Sequence, residues 1–124
     1  MNVVDSSGWL EYLSNGPNAA FFAQPLARPL RLLVPSIVVH EVVKAMWRQR
    51  GEQAAFVVAG LMREGQVVPL DHGLAVAAAA LGLEAHLAMA DSIILATARA
   101  FGAELWTQDA DFEGMPGVKY QKKR

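Results

Sequence analysis

Carboxylates occur at four places in this chain where the local pattern does not require a charge. They are Asp5, Glu41, Asp91 and the pair Asp109 and Asp111. Carboxylate oxygens are the ligands that Mg²⁺ and Mn²⁺ prefer in proteins. A buried carboxylate is otherwise costly unless it is paired or hydrogen-bonded. These residue types therefore indicate either a divalent-metal site or a set of helix caps and turns.

Asp5 follows two strand-forming residues, Val3 and Val4, and precedes an apolar stretch that predicts a short helix. In open parallel sheets, ligands bind beyond the carboxyl ends of the strands, which would make Asp5 a metal ligand. The same position suits a helix N-cap, where the carboxylate accepts a backbone hydrogen bond. These residues alone leave both interpretations open.

Asp91 and Glu41 both fall within predicted helices. Asp91 shares a helix face with the apolar residues Ile94 and Leu95, which favours a functional explanation, although capping near a helix start competes with it. Glu41 shares a face with Lys44, three residues later, which by itself predicts an exposed surface ion pair.

The stretch after Trp106 places oxygen ligands at alternate positions. Thr107, Asp109 and Asp111 follow a short predicted strand. An Asx turn would explain one of the two aspartates but not both. This spacing offers several oxygen ligands to one cation.

Strands and helices alternate along the chain, which predicts an α/β three-layer sandwich, a central mainly parallel sheet flanked by helices, formed by residues 1–124 as one domain. The predicted strands cover 2–4, 30–34, 66–70, 104–107 and 118–120. The predicted helices cover 7–14, 18–26, 36–50, 52–64, 71–82 and 91–101.

Composition narrows the possible classes of protein. The hydrophobic fraction is 53%, which suggests a buried parallel sheet, an apolar partner surface, or both. No apolar run approaches the roughly 20 residues of a membrane-spanning helix. The absence of cysteine and of a secretory signal pattern predicts a cytoplasmic protein. Four of the eleven basic residues lie in the last six positions. This basic tail either contacts phosphates or is a frayed, solvated end.

The order of the acidic positions resembles that of PIN-domain ribonucleases, and more narrowly that of VapC-type toxins of toxin–antitoxin pairs. With matching element order and length, the resemblance covers essentially the whole chain. The stretches that carry it are "VVDSSGWLEYL", "PSIVVHEVVKAM", "HLAMADSIILATA" and "LWTQDADFEG".

The resemblance implies an endoribonuclease with an acidic Mg²⁺ or Mn²⁺ pocket, and it places Glu41 at the pocket rim instead of in a surface pair. Glu41 would then orient water or support a second metal, and Ser6 and Ser7 would cap the first helix. By position, the catalytic quartet would be Asp5, Glu41, Asp91 and Asp109, the metal ligands Asp5, Asp91, Asp109 and Asp111, and the supporting hydroxyls Ser6 and Thr107.

The resemblance also implies partners: an RNA substrate, a VapB-type antitoxin and a second copy in a homodimer, with no membrane. The antitoxin would lie across an apolar groove formed by the helices at 18–26, 36–50 or 52–64. An alternative from a different class is a catalytically silent PIN-like module that binds a metal or a partner without cleaving RNA.

Overall fold

A parallel five-stranded sheet forms the centre of the molecule, in a computed structural model that describes residues 1–124. All four strand pairs are parallel and the strand order is β3-β2-β1-β4-β5. The predicted α/β sandwich is therefore confirmed, and the sheet is entirely parallel. The strands are β1 (Asn2–Val4), β2 (Leu32–Pro35), β3 (Gln66–Val68), β4 (Glu104–Thr107) and β5 (Val118–Tyr120).

Six α-helices flank the sheet, and all six were predicted. Short 3-10 turns occupy Pro29–Arg31 and Ala110–Phe112, which the sequence pattern did not predict. The helices are α1 (Ser6–Leu13), α2 (Ala19–Leu26), α3 (Ser36–Arg50), α4 (Glu52–Met62), α5 (His72–Ala85) and α6 (Met89–Ala100).

The ends of two elements, β3 and α5, differ from the predictions. Strand β3 ends at Val68, because Pro69 has no backbone N–H to donate to a ladder. Helix α5 runs past Gly82 to Ala85. A Cβ atom at Gly82 would lie 3.3 Å from the Cβ of Ser92, so this glycine allows α5 and α6 to pack closely.

The strand register brings the carboxyl ends of β1 and β4 to the same edge of the sheet. Val4 pairs with Trp106, and the backbone N–H of Asp5 donates to the carbonyl of Trp106 at 3.1 Å. Asp5 and Thr107 therefore leave the sheet side by side. Fully buried Val4 and Leu105 belong to the core beneath this edge, as expected for strands covered on both faces.

The backbone after β5 is held to the fold, so the basic tail does not fray at its first residues. The N–H of Gln121 donates to the carbonyl of Thr107 at 3.0 Å, and the side-chain amide of Asn18 donates to the carbonyl of Lys122 at 3.0 Å.

None of the helices is, alone, both long and apolar enough for a membrane span. By length and composition, only the bent pair α5 and α6 could qualify, with 114° between the two helices.

Candidate metal centre

Three carboxylates converge beyond the carboxyl edge of the sheet. Asp91, Asp109 and Asp111 each offer an oxygen atom, and these atoms lie within 4.8 Å of one another. Asp91 comes from the first turn of α6, whereas Asp109 and Asp111 come from the 3-10 turn after β4. Asp91 and Asp109 are half-buried and Asp111 is exposed. A single cation could therefore contact all three from the solvent side.

Local turn chemistry sets the orientation of Asp109. Its backbone N–H donates to the Oγ1 of Thr107 at 2.9 Å, and its Oδ1 accepts from the N–H of Asp111 at 3.0 Å. Asp109 is thus the N-cap of the 3-10 turn. This capping explains the orientation of one aspartate and leaves the convergence of Asp91 and Asp111 upon it without a structural explanation.

Asp5 is the N-cap of α1 and is only 3% exposed. Its Oδ1 accepts from the Oγ of Ser7 at 2.7 Å and from the N–H of Gly8 at 2.9 Å. Its Oδ2 accepts from the Oγ1 of Thr107 at 2.6 Å. The expectation that Ser6 and Ser7 cap the first helix is therefore wrong, because Asp5 caps it and Ser7 donates to Asp5.

Asp91 does not cap its helix. The N-cap of α6 is Ala88, so Asp91 lies inside the first turn, where the positive end of the helix dipole favours a carboxylate. The residues that follow, Ser92 to Ala98, are all buried. A packed helix therefore fixes the position of Asp91 beside the aspartates after β4.

Glu41 on α3 accepts a hydrogen bond from the Oγ of Ser6 at 2.5 Å. It forms no ion pair with Lys44, since the only ion pair in the structure joins Lys119 and Glu104. The surface pair that helical periodicity predicts is therefore absent. The hydroxyl of Ser6 thus donates to Glu41, whereas the hydroxyl of the neighbouring Ser7 donates to Asp5.

Burial and mutual repulsion perturb two of these carboxyls. Burial raises the pKa of Asp5 to about 6, against hydrogen bonds from Thr107, Ser7 and Gly8 that lower it. Burial also raises the pKa of Asp91 to about 6, with further increases from the charges of its acidic neighbours: Asp109, Asp5, Asp111 and Glu41.

Such crowding of carboxylates is relieved either by protons or by a cation. The donor set consists entirely of carboxylate oxygens, which fits Mg²⁺ or Mn²⁺ and does not fit the nitrogen and sulfur ligands typical of zinc sites. The residues present therefore suit the metal that the sequence predicts.

Sequence reasoning missed three residues that support the site. The side-chain amide of buried Asn18 donates to the Oε1 of Gln108 at 3.0 Å, and the N–H of Gln108 lies 3.4 Å from the Oγ of Ser7. Ser7 could have been recognised, because it lies two residues after a capping aspartate. Asn18 and Gln108 are ninety positions apart, and no local pattern connects them.

Residues 3–118 match the family model of the PIN domain. A search of curated protein sequences gave no match.

Solved structures match over nearly the whole chain. A toxin–antitoxin complex from Klebsiella pneumoniae is 26% identical, with a TM-score of 0.81 and 96% of each chain covered. VapC20 of Mycobacterium tuberculosis, a sarcin–ricin loop cleaving toxin, is 21% identical, with a TM-score of 0.75 and coverage of 94% of this chain and 95% of that one. DNA-bound VapBC from Salmonella typhimurium is 17% identical, with a TM-score of 0.75 and 98% of each chain covered.

Proposed function

The chain belongs to the PIN domain family, and we propose that it is a metal-dependent endoribonuclease that acts in the cytoplasm as the toxin of a toxin–antitoxin pair. The observation that carries this proposal is the convergence of Asp91, Asp109 and Asp111 beside the buried Asp5. The similarity to a toxin–antitoxin complex and to a sarcin–ricin loop cleaving toxin supports it.

Asp91, Asp109 and Asp111, whose oxygens converge, would hold Mg²⁺ or Mn²⁺. We assign Asp5 as a further ligand. Bound there, the cation would supply Lewis-acid chemistry: it would make water more acidic and offset the negative charge that develops on the phosphodiester. The three clustered carboxylates come from two different elements, α6 and the turn after β4. A correctly packed core is therefore needed before the site exists.

The remaining polar residues orient the site. Thr107 donates to Asp5 and accepts from the N–H of Asp109, so one hydroxyl ties the two aspartates together. We assign Glu41 to the rim of the site: its Oε1 accepts from the Oγ of Ser6, and its other oxygen would accept a proton from the attacking water. Attack of that water on the phosphorus of an RNA phosphodiester would form one P–O bond and break another, and the ribose oxygen that leaves would take up a proton from solvent.

The function is tested by incubating the purified chain with total cellular RNA in Mg²⁺ or Mn²⁺ and separating the products on a denaturing gel. We expect cleavage that EDTA abolishes and that Asp91→Asn lowers by at least about 100-fold, because loss of a metal ligand removes several kcal/mol of transition-state stabilisation. The matched control is Asp71→Asn, which makes the same charge change at the exposed N-cap of α5.

Metal-dependent cleavage that Asp91→Asn leaves unchanged would show that the site lies elsewhere. If the chain cleaves no RNA with either metal and its expression does not arrest growth, the proposal is wrong. The silent PIN-like module would then be the better description.

A groove between α3 and α4 is the surface that we assign to the antitoxin. Its volume is about 580 Å³, and exposed Trp47 and Phe56 pack edge to face within it. An adjoining cavity shares His40 and the two basic residues Lys44 and Arg48 with it and reaches Glu41. A peptide with an apolar face and acidic residues could therefore occupy the groove and block the rim of the metal centre. The groove is lined by Val39, His40, Val43, Lys44, Trp47, Arg48, Phe56 and Ala59.

The outer face of α5 is the surface that we assign to a second copy in a homodimer. Val76 is 58% exposed and Leu83 is 82% exposed, and the exposed residues between them are mostly alanines. A helix that is apolar all round is normally covered. Alanine on an exposed stripe also permits the close approach of an identical helix, which suits a symmetric interface.

A further inference from the structure

Two adjoining cavities open beside Gln108, which lines both of them. The first, of about 460 Å³, is lined by Ser7, Gln108 and Asp109 together with residues of the C-terminal segment. The second, of about 360 Å³, shares Ser7 and Gln108 with the first and extends toward the end of α3. Because both contain Ser7, which donates to Asp5, they begin where the carboxylate site ends.

Three cations line these cavities, beside Asp109 in the first and Glu11 in the second, where the Glu11 carboxylate accepts from the N–H of Asn18. Lys122 and Lys123 line the first cavity, while Lys123 and Arg50 line the second. None of these three cations forms an ion pair, since the only ion pair in the structure joins Lys119 and Glu104. A set of unpaired cations therefore lies next to a strongly acidic centre.

The tail that carries the lysines is anchored by a buried polar residue. Asn18, only 3% exposed, uses its amide to hold both the carbonyl of Lys122 and the Oε1 of Gln108, each at 3.0 Å. Gln108 directly precedes Asp109 in the chain. The same side chain thus fixes the loop that bears a metal-site carboxylate and the backbone that bears the cations.

We propose, on the basis of the ribonuclease function proposed above, that these two cavities hold the RNA backbone next to the bond that is cleaved. Lys122, Lys123 and Arg50 would neutralise the phosphates that flank the scissile one. A cluster of carboxylates repels a polyanion, so productive binding requires cations close to the cluster. RNA fits better than an acidic peptide, because Asp109 of the metal centre lines the first cavity and the scissile phosphate would lie beside that centre.

The test compares RNA binding by the double variant Lys122→Ala/Lys123→Ala with that of the parent chain. Both carry Asp91→Asn to prevent cleavage, since Asp91 lines neither cavity. Affinity for a single-stranded RNA oligonucleotide is measured over a range of KCl concentrations. The slope of log affinity against log salt reports the number of phosphates contacted, at roughly 0.7 per phosphate for single strands.

We expect the double variant to reduce this slope by about 1.4 and to weaken binding to all RNA sequences alike. The matched control is Arg28→Ala/Arg31→Ala, which removes two charges from a cavity at the opposite edge of the sheet, beside Met1 and Glu104. This control should leave the slope unchanged. In the cleaving chain, the two lysine substitutions should raise KM and leave kcat unchanged.

An unchanged slope in the lysine variant, or an equal reduction in the arginine control, would overturn the proposal even if the chain cleaves RNA. Competition by polyglutamate as strong as that by RNA of equal charge would assign the cavities to an acidic peptide and overturn it as well. A chain that binds RNA through these lysines but never cleaves it would support the phosphate contacts and overturn the ribonuclease function alone.

Discussion

Asp5 combines two functions that its local sequence presents as alternatives. It caps α1 through the N–H of Gly8, and it lies close enough to the acidic cluster for its charge to raise the pKa of Asp91. Hydrogen bonds from Ser7 and Thr107 occupy both of its oxygens. The energetic consequence is that the native state holds this carboxyl in an environment that penalises its charge.

Asp5 should make the metal-free protein less stable as the pH rises from about 4 to about 6. Its pKa is about 6 in the native state and has the ordinary value of 3.8 in the unfolded chain, so the native state binds more protons between these values. The penalty is absent below pH 4 and complete above pH 6, where it amounts to roughly 3 kcal/mol. Urea unfolding of the parent chain and Asp5→Asn in EDTA measures it.

In EDTA, the difference in the free energy of unfolding between the parent chain and Asp5→Asn should therefore change with pH. Mg²⁺ should reduce that change, because the cation offsets the negative charge of Asp5. Asp71→Asn at an exposed cap provides the matched control. Parallel stability curves for the parent and Asp5→Asn would contradict the prediction.

Ser6→Ala tests whether the hydroxyl of Ser6 orients Glu41. We expect the rate of RNA cleavage to fall about 10-fold, as is typical when an outer hydrogen bond to an active-site group is lost. Glu41→Gln should then lower the cleavage rate by a smaller factor in the Ser6→Ala background than in the parent chain, because the two residues act as a unit. Ser36→Ala is the control, because the Oγ of Ser36 accepts from the N–H of Leu70 and the residue lines neither RNA cavity. Additive effects of the two substitutions would argue against this coupling.

The elements around the site depend on a close approach between α1 and α2. A Cβ atom at Gly8 would lie 2.6 Å from the ring of Phe22 and 2.6 Å from Val4 Cγ1. Glycine is therefore required in the first turn of α1, three residues after Asp5. Helix α2 in turn starts next to Asn18, whose amide holds the loop before Asp109.

Gly8→Ala should destabilise the protein by about 1–3 kcal/mol, because the methyl group overpacks a buried contact. Gly73→Ala is the matched control: its Cβ would meet only Asp71 Oδ1 at 3.6 Å, in an exposed helix. That change should stabilise α5 by about 0.5–1 kcal/mol. Urea midpoints measure both effects, and equal midpoints for the two variants would be inconsistent with the packing described.

At the scale of the whole molecule, two apolar surfaces remain uncovered on different helices. One is the groove between α3 and α4 that contains Trp47 and Phe56. The other is the face of α5 around Leu83, continued by Met89, which is 74% exposed. The exposed apolar residues of these two surfaces, together with the buried sheet, explain the high hydrophobic fraction of the sequence. Because they lie on different helices, an antitoxin and a second copy could bind at the same time.

Val76→Glu/Leu83→Glu should convert the proposed homodimer into a monomer, because charges would be buried against identical charges across a two-fold axis. Sedimentation velocity would then give the monomer mass of 13.4 kDa. The control is Leu30→Glu, since Leu30 is 93% exposed and lies outside this face. A parent chain that is already monomeric would disprove the assignment of α5.

The sequence by itself determined the order of strands and helices and the residue types of the candidate site. Periodicity and turn residues report local backbone preference, so β1, β4 and β5 were located to the residue. The order of four acidic positions was sufficient to indicate the PIN family, which the family model confirms over residues 3–118. The roles of the individual acidic residues stay predictions.

Only the tertiary structure decided which hydroxyl serves which carboxylate. Ser6 and Ser7 are adjacent, yet one donates to Glu41 on α3 and the other to Asp5 at the end of β1. The contacts of Asn18 with Gln108 and Lys122 were equally inaccessible, because they join residues 90 and 104 positions apart. Such contacts depend on how parallel crossovers bring distant segments to one edge of the sheet, which no short-range pattern encodes.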